Sequence, residues 1–201
     1  MGSSSELREK SVFLNVPYDK GYEPLFVALV GSLVSIGRTP RCVLEIPESG
    51  QGRLRRIQDL MESCRVSIHD LSRVGAPARF NMPFELGLAC NLARYRGPHD
   101  FILLEKERYR LDKTLSDLKG RDPVIHKGRP RLVVECVLDA LGGPSDVENH
   151  GLIQSISATL WRFARDRKIQ TNRRSVFGRS AFQELVSAAI EIALREGLLA
   201  A

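Results

Sequence analysis

The sequence predicts an open α/β fold, a parallel sheet of four or five strands with helices on both faces, followed by a two-helix C-terminal appendage. Three observations carry this expectation. Short β-favouring runs alternate with helical patterns over the first two-thirds of the chain. The strand candidates are almost continuously apolar, as in a sheet covered on both sides. After Gly142-Gly143-Pro144 only helical periodicity remains.

The run Ser11 to Val16 is the first strand, ended by Pro17, and Glu23 to Ile36 carries apolar residues at helical spacing up to Gly37. Arg41 to Ile46 reads as the second strand, closed by Pro47 and a glycine-flanked loop, and Arg53 to Cys64 repeats the helical pattern. Arg65 to Leu71 is the third strand. A loop from Ser72 to Phe80 leads to a helix from Met82 to Arg94, and Phe101 to Glu105 is the fourth strand. Arg121 to Lys127 adds a short fifth strand after a long charged connection, and Arg131 to Leu141 closes the sheet domain. Two helices, Ser145 to Arg167 and Ser180 to Leu199, flank a basic link. The expected organisation is a domain over 1–143 and an appendage over 144–201, its apolar faces meeting the sheet domain or another subunit.

An apolar content of 43% with 27% charged residues fits a globular chain, and no apolar run is long enough to span a bilayer. The opening Met1-Gly2-Ser3-Ser4-Ser5-Glu6 lacks the apolar core of a signal peptide, so a cytoplasmic location and no membrane partner are expected. Cys42, Cys64, Cys90 and Cys136 are scattered through apolar contexts without metal-ligand spacing. They read as buried small hydrophobes, and no metal is expected. The net charge of +6 permits polyanion contact, but the basic stretches lack interleaved aromatics, so nucleic acid is the less favoured partner.

In an open parallel sheet, ligands bind beyond the carboxyl ends of the strands. That rule gathers Asn15, Pro17, Tyr18 and Asp19 after the first strand, and Asp70 and Ser72 at the end of the third. The following loop and helix add Arg79, Asn81 and Glu85. Glu85 stands out as a carboxylate between Phe84 and Leu86 on a mostly apolar helix, where loss of water raises its pKa. His69 points to the opposite strand face from Asp70 and reads as a hydrogen-bonded core histidine. No GxGxxG, GxxxxGK[ST] or GxSxG motif is present, which disfavours dinucleotide dehydrogenase, P-loop and α/β-hydrolase chemistry. The remaining set of carboxylates, Asn, Ser, Tyr and Arg suits a sugar or nucleotide ligand and chemistry at an anomeric carbon.

The segments Asn15-Val16-Pro17-Tyr18-Asp19, Ile68-His69-Asp70-Leu71-Ser72 and Phe84-Glu85-Leu86-Gly87 resemble the TIR-like and nucleoside 2-deoxyribosyltransferase-like group. The resemblance runs from about Ser11 to Leu141 and implies a flavodoxin-like sheet. It implies that Glu85 is the group acting on the ribose, as nucleophile or ligand, and that Asp70 holds or protonates the base. The W-C-x-x-E segment of enzymatic TIR domains and the glycine-rich first loop of many transferases are absent. The implied activity is cleavage of an N-glycosidic bond in NAD or a related nucleotide, serving prokaryotic defence or stress signalling. NAD or the nucleotide is then substrate or ligand, no separate cofactor is required, and a homo-oligomer is expected. A nucleotide sensor or assembly module on the same fold, and a deoxyribosyltransferase or nucleotide N-glycosidase, are the alternatives.

Overall fold

The computed structural model describes residues 4–46, 52–73, 80–95, 97–118 and 120–199. Five strands form one parallel sheet: β1 (Ser11–Asn15), β2 (Thr39–Cys42), β3 (Val66–Asp70), β4 (Asp100–Glu105) and β5 (Val124–Ile125). Their spatial order is β2-β1-β3-β4-β5, the flavodoxin-like order, in which the direction of strand addition switches between β1 and β3. Val12 aligns with Val66, and Val66 in turn with Asp100. The helices are α1 (Ser4–Lys10), α2 (Glu23–Ser35), α3 (Arg53–Glu62), α4 (Asn81–Tyr95), α5 (Arg110–Thr114), α6 (Pro130–Leu141), α7 (Pro144–Glu148), α8 (His150–Gln170) and α9 (Arg179–Arg195).

Several expected elements change: the fifth strand keeps only Val124–Ile125 of the expected Arg121 to Lys127, and the expected helix Ser145 to Arg167 is divided into α7 and α8, so the appendage has three helices rather than two. The second strand begins at Thr39, earlier than the expected Arg41, and Val43–Glu45 forms a 3-10 turn in place of its second half. The long charged connection after β4 contains α5, which at five residues is too short to show a helical period. No described helix is long and apolar enough to cross a membrane.

The chain forms two compact units that interleave along the sequence. The first gathers the described residues of Met1–Pro17, Arg41–Val43 and Glu48–Gly128. There α4 packs across β1, β3 and β4 through Met82, Leu86, Ala89 and Leu92, all buried and spaced at helical intervals. Helix α1 is fastened by Arg8, whose guanidinium donates to Glu62 O at 3.0 Å and to Pro98 O at 3.1 Å.

The second unit gathers the described residues of Tyr18–Pro40, Leu44–Pro47 and Arg129–Ala201. Helix α2 is buried on nearly every side because α6, α8 and α9 all pack against it. This explains a helix that is apolar all round, with no solvent face. Helices α2 and α8 approach closely at Gly31, where a Cβ would lie 3.0 Å from Ser157 Oγ. Glu23 is 2% exposed, and its carboxylate meets Lys168 Nζ at 2.6 Å and accepts from Val176 N–H at 3.2 Å. The residues Gly142-Gly143-Pro144 turn the chain from α6 into α7, and a Cβ on Gly142 would fall 2.6 Å from Leu138 O. Helices α7, α8 and α9 form the C-terminal helical appendage.

Candidate functional site

The carboxyl ends of β1, β3, β4 and β5 bring a set of polar side chains to one edge of the first unit. Most of them are already bonded to each other. Asn15, at the end of β1, is 3% exposed and uses both carboxamide hydrogens, one to His69 Nδ1 at 3.0 Å and one to Met82 O at 3.0 Å. It thereby ties β1 and β3 to the first turn of α4.

The rest of this chain of bonds fixes every proton in it. Because Asn15 donates to Nδ1, the His69 hydrogen sits on Nε2 and points to Ser67 Oγ at 2.9 Å. Ser67 then donates to His99 Nε2 at 3.0 Å, which leaves the His99 hydrogen on Nδ1, 3.0 Å from Cys64 O. Both rings are neutral in this arrangement. Burial pushes the His69 pKa down to about 3, with the neighbouring His99 adding to the shift, and burial lowers His99 as well.

Asp70, at the end of β3, is fully buried. Its Oδ1 accepts from Ser72 N–H at 2.9 Å and from the Ser72 hydroxyl, and its Oδ2 lies 3.0 Å from His126 Nε2. His126 follows β5 and is also fully buried. Lys127 and Gly128 both take left-handed backbone angles, which folds the Gly128 N–H back onto His126 Nδ1 at 3.0 Å. That bond puts the ring hydrogen on Nε2, facing Asp70 and also Ser72 Oγ at 2.8 Å. The composition is Ser-His-Asp, but both partners meet the same ring nitrogen and that nitrogen carries the proton. It cannot serve Ser72 as a base.

At the end of β4 a third buried group is closed in the same way. The Glu105 side chain is fully buried and pairs with Arg110 of α5 at 2.7 Å, while Arg110 also donates to Leu71 O at 2.8 Å.

Glu85 is different. It lies one turn after Met82 on α4, 6% exposed. Burial raises its pKa to about 7, against smaller opposing effects from a hydrogen bond with Asn81 and from the charge of Arg53. Asn81 is four residues earlier on the same helix, within reach of Glu85, and is itself exposed. The Arg53 charge comes from the first turn of α3.

The sequence-predicted residues therefore separate. Asn15, Asp70, Ser72, Asn81 and Glu85 belong to the first unit, as does the buried Pro17 that follows β1. Tyr18 and Asp19 belong to the second unit. There the Tyr18 ring packs edge-on against Phe26 and Phe177, with centroids 6.2 and 5.4 Å away. Asp19 organises the turn into α2, accepting from Gly21 N–H through Oδ1 and from Tyr22 N–H through its carbonyl. Arg79 lies outside the described residues.

Sequence reasoning did not single out His126, Glu105 or Arg110. Ser72 and His126 are 54 residues apart, and the two-residue β5 gives no periodic signal. Comparison of the chain with family models, with curated proteins and with solved structures gave no match.

Proposed function

We propose that the protein cleaves the N-glycosidic bond of NAD or a related nucleotide in the cytoplasm, with Glu85 acting on the ribose side of that bond. The observation that supports this reading is Glu85 itself, a buried carboxyl group in the first turns of the helix that follows β3, where burial raises its pKa to about 7. A carboxylate stripped of water beside an anomeric carbon either stabilises the developing positive charge or attacks it. The neighbouring polar groups are bonded among themselves and hold the sheet edge and the start of α4 in place.

The engagement of Asp70 bears on the substrate. Both of its oxygens are occupied by Ser72 and His126, so it is a positioning residue for the β3 edge rather than a free acid. A neutral purine or pyrimidine leaves poorly unless protonated. Nicotinamide leaves NAD from a cationic ring and needs no acid, so one carboxylate is enough. This favours NAD over a plain nucleoside. The defence or stress-signalling role rests on the resemblance alone.

The test is incubation of the full chain with NAD, nucleosides and nucleotides, followed by mass analysis of products. Release of nicotinamide that Glu85→Gln abolishes supports the reading. A ligand that raises the melting temperature without being consumed identifies a nucleotide sensor instead, a role that the closed Asp70 cluster also suits.

A further inference from the structure

The second unit holds a cavity of its own. It measures about 270 Å³ and lies between α2, α6 and α8. Helix α8 covers it with Gln154, Ser157, Ala158 and Trp161, which share one face at helical spacing. The other two helices contribute their beginnings. Pro24 and Pro130 stand in the first turns of α2 and α6, and Ala28 and Val134 follow one turn later.

That placement gives the cavity a sign. The first amides of a helix have no partner inside it, and the helix dipole adds a partial positive charge there. Neither N-cap residue, Tyr22 or Arg129, bonds back to its helix through a side chain. Two such ends meet at one cavity, from helices of 13 and 12 residues. The carboxylates beside them are already paired, Glu23 with Lys168 and Glu135 with Arg131. Arg129 adds a cation without a partner among the described residues.

The lining side chains repeat the preference. Arg131 commits its Nε to Glu135 at 3.3 Å, and its terminal nitrogens have no partner among the described residues. The indole N–H of the half-buried Trp161 has none there either. Ser157 is the clearest case. It is 7% exposed, sits at the inner wall against Gly31, and its hydroxyl has no hydrogen-bond partner among the described residues. Ser32 and Ser35 of the same unit both donate to the carbonyl four residues back, at 2.7 and 2.8 Å. A buried hydroxyl that forgoes this bond calls for another partner. Gln154 is held by His150 Nε2 at 2.7 Å. Donors with nothing to meet thus converge with two helix beginnings on a space walled by proline, alanine, valine and tryptophan.

We propose that this cavity binds a small organic acid, a carboxylate carried on a single ring or a short branched chain. The carboxylate meets Arg131 and the start of α6, since a guanidinium fork matches two carboxylate oxygens. The apolar body lies against Trp161 and Val134. Size sets the limit, because pockets for drug-sized ligands run from about 300 to 1,000 Å³ and this one falls short of that range. The site is independent of the glycosidic reading, as all of its lining belongs to the second unit and Glu85 takes no part.

Trp161 is the only tryptophan in the chain, so its fluorescence reports on the cavity. Titration of the full chain with phenylacetate, 3-phenylpropionate and isovalerate is expected to change that emission saturably for at least one of them. The Kd falls at about 0.1–1 mM, as fragment-sized ligands reach. Phenylacetamide and phenethylamine, which keep the ring and lose the anion, bind at least about tenfold more weakly. Arg131→Gln weakens the acid by about tenfold and leaves the amide unchanged, a difference that a structural role for this exposed side chain would not produce.

Ala158→Phe fills the cavity from an exposed position and abolishes binding without altering the circular dichroism. Ser157→Ala weakens binding while leaving the melting temperature unchanged or raised, because an unbonded buried hydroxyl is removed. The proposal is overturned if none of the three acids saturates the signal by about 10 mM, well above the expected range. It is also overturned if acid and amide bind equally, or if binding survives Arg131→Gln or Ala158→Phe undiminished.

Discussion

Asn15 and His69 sit side by side on neighbouring strands, and the carboxamide of one hands a hydrogen to Nδ1 of the other over 3.0 Å. That bond sets the direction of every later bond through Ser67 and His99. The same carboxamide also anchors Met82 O, so the start of α4 depends on it. Asn15→Asp is expected to be far more disruptive than its size suggests. A carboxylate has no hydrogen for Met82 O, which it leaves unsatisfied, and it draws the His69 hydrogen onto Nδ1, away from Ser67. The cost is about 2–4 kcal/mol, read as a lowered denaturant midpoint. Nitrogen-15 spectra of the native protein are expected to show neutral His69 with its hydrogen on Nε2 from pH 5 to 8.

Glu85 gives a pH-dependent prediction. Its folded pKa, about 7, exceeds the ordinary 4.5. Between those values the folded state binds more protons than the unfolded chain, so stability falls as pH rises through this window and then levels off. The full difference is on the order of 3 kcal/mol. Glu85→Gln is expected to remove this slope, leaving the variant more stable than the native protein at pH 8 and little changed at pH 4.5. Urea unfolding at the two pH values reads it. Any glycosidic activity of the native chain is expected to rise with pH through about 7 as the carboxylate forms, and a rate independent of pH there would count against Glu85 as the ionised group.

Ser72 is expected to be inert despite its neighbours. His126 Nε2 holds its own hydrogen because Gly128 occupies Nδ1, and the Ser72 hydroxyl is committed to Asp70. Treatment with a serine-directed fluorophosphonate should leave the mass of the protein unchanged. Ser72→Ala should cost about 1–2 kcal/mol, because a buried Asp70 oxygen loses its hydroxyl partner. Labelling at Ser72 would refute the assigned tautomer.

The buried pair of Glu23 and Lys168 predicts an asymmetry. Lys168→Met strands a carboxylate that is 2% exposed, whereas Glu23→Gln still accepts from Val176 N–H and leaves an ammonium that reaches partly into water. Lys168→Met is expected to cost about 3 kcal/mol and Glu23→Gln about 1–2 kcal/mol. Chemical denaturation of the two variants side by side tests the order.

Much of the sheet was legible because its strands are short apolar runs between turn residues, as in Ser11–Asn15 and Asp100–Glu105. The second strand was displaced because Val43 and Ile46 carry β-favouring side chains into what folds as a 3-10 turn and its exit. Glu85 could be singled out because a charged residue inside an apolar helix violates the pattern of its neighbours. Its companions could not. His126 and Arg110 are ordinary polar residues in loops and a five-residue helix, and their meaning comes from partners on other strands. The placement of α2 was equally hidden, since a helix that is apolar all round does not say which later helices will cover it.

That placement has a consequence for synthesis. Helix α2 is made early, but α6, α8 and α9, which cover it, come from the last third of the chain. At about 5–20 residues per second, a nascent α2 waits on the order of ten seconds for its partners. During that interval Leu25, Phe26, Leu29, Leu33 and their neighbours have no native surface to meet, although they end almost fully buried. A chain stopped after α6 would leave the sides of α2 that α8 and α9 cover exposed to water for good.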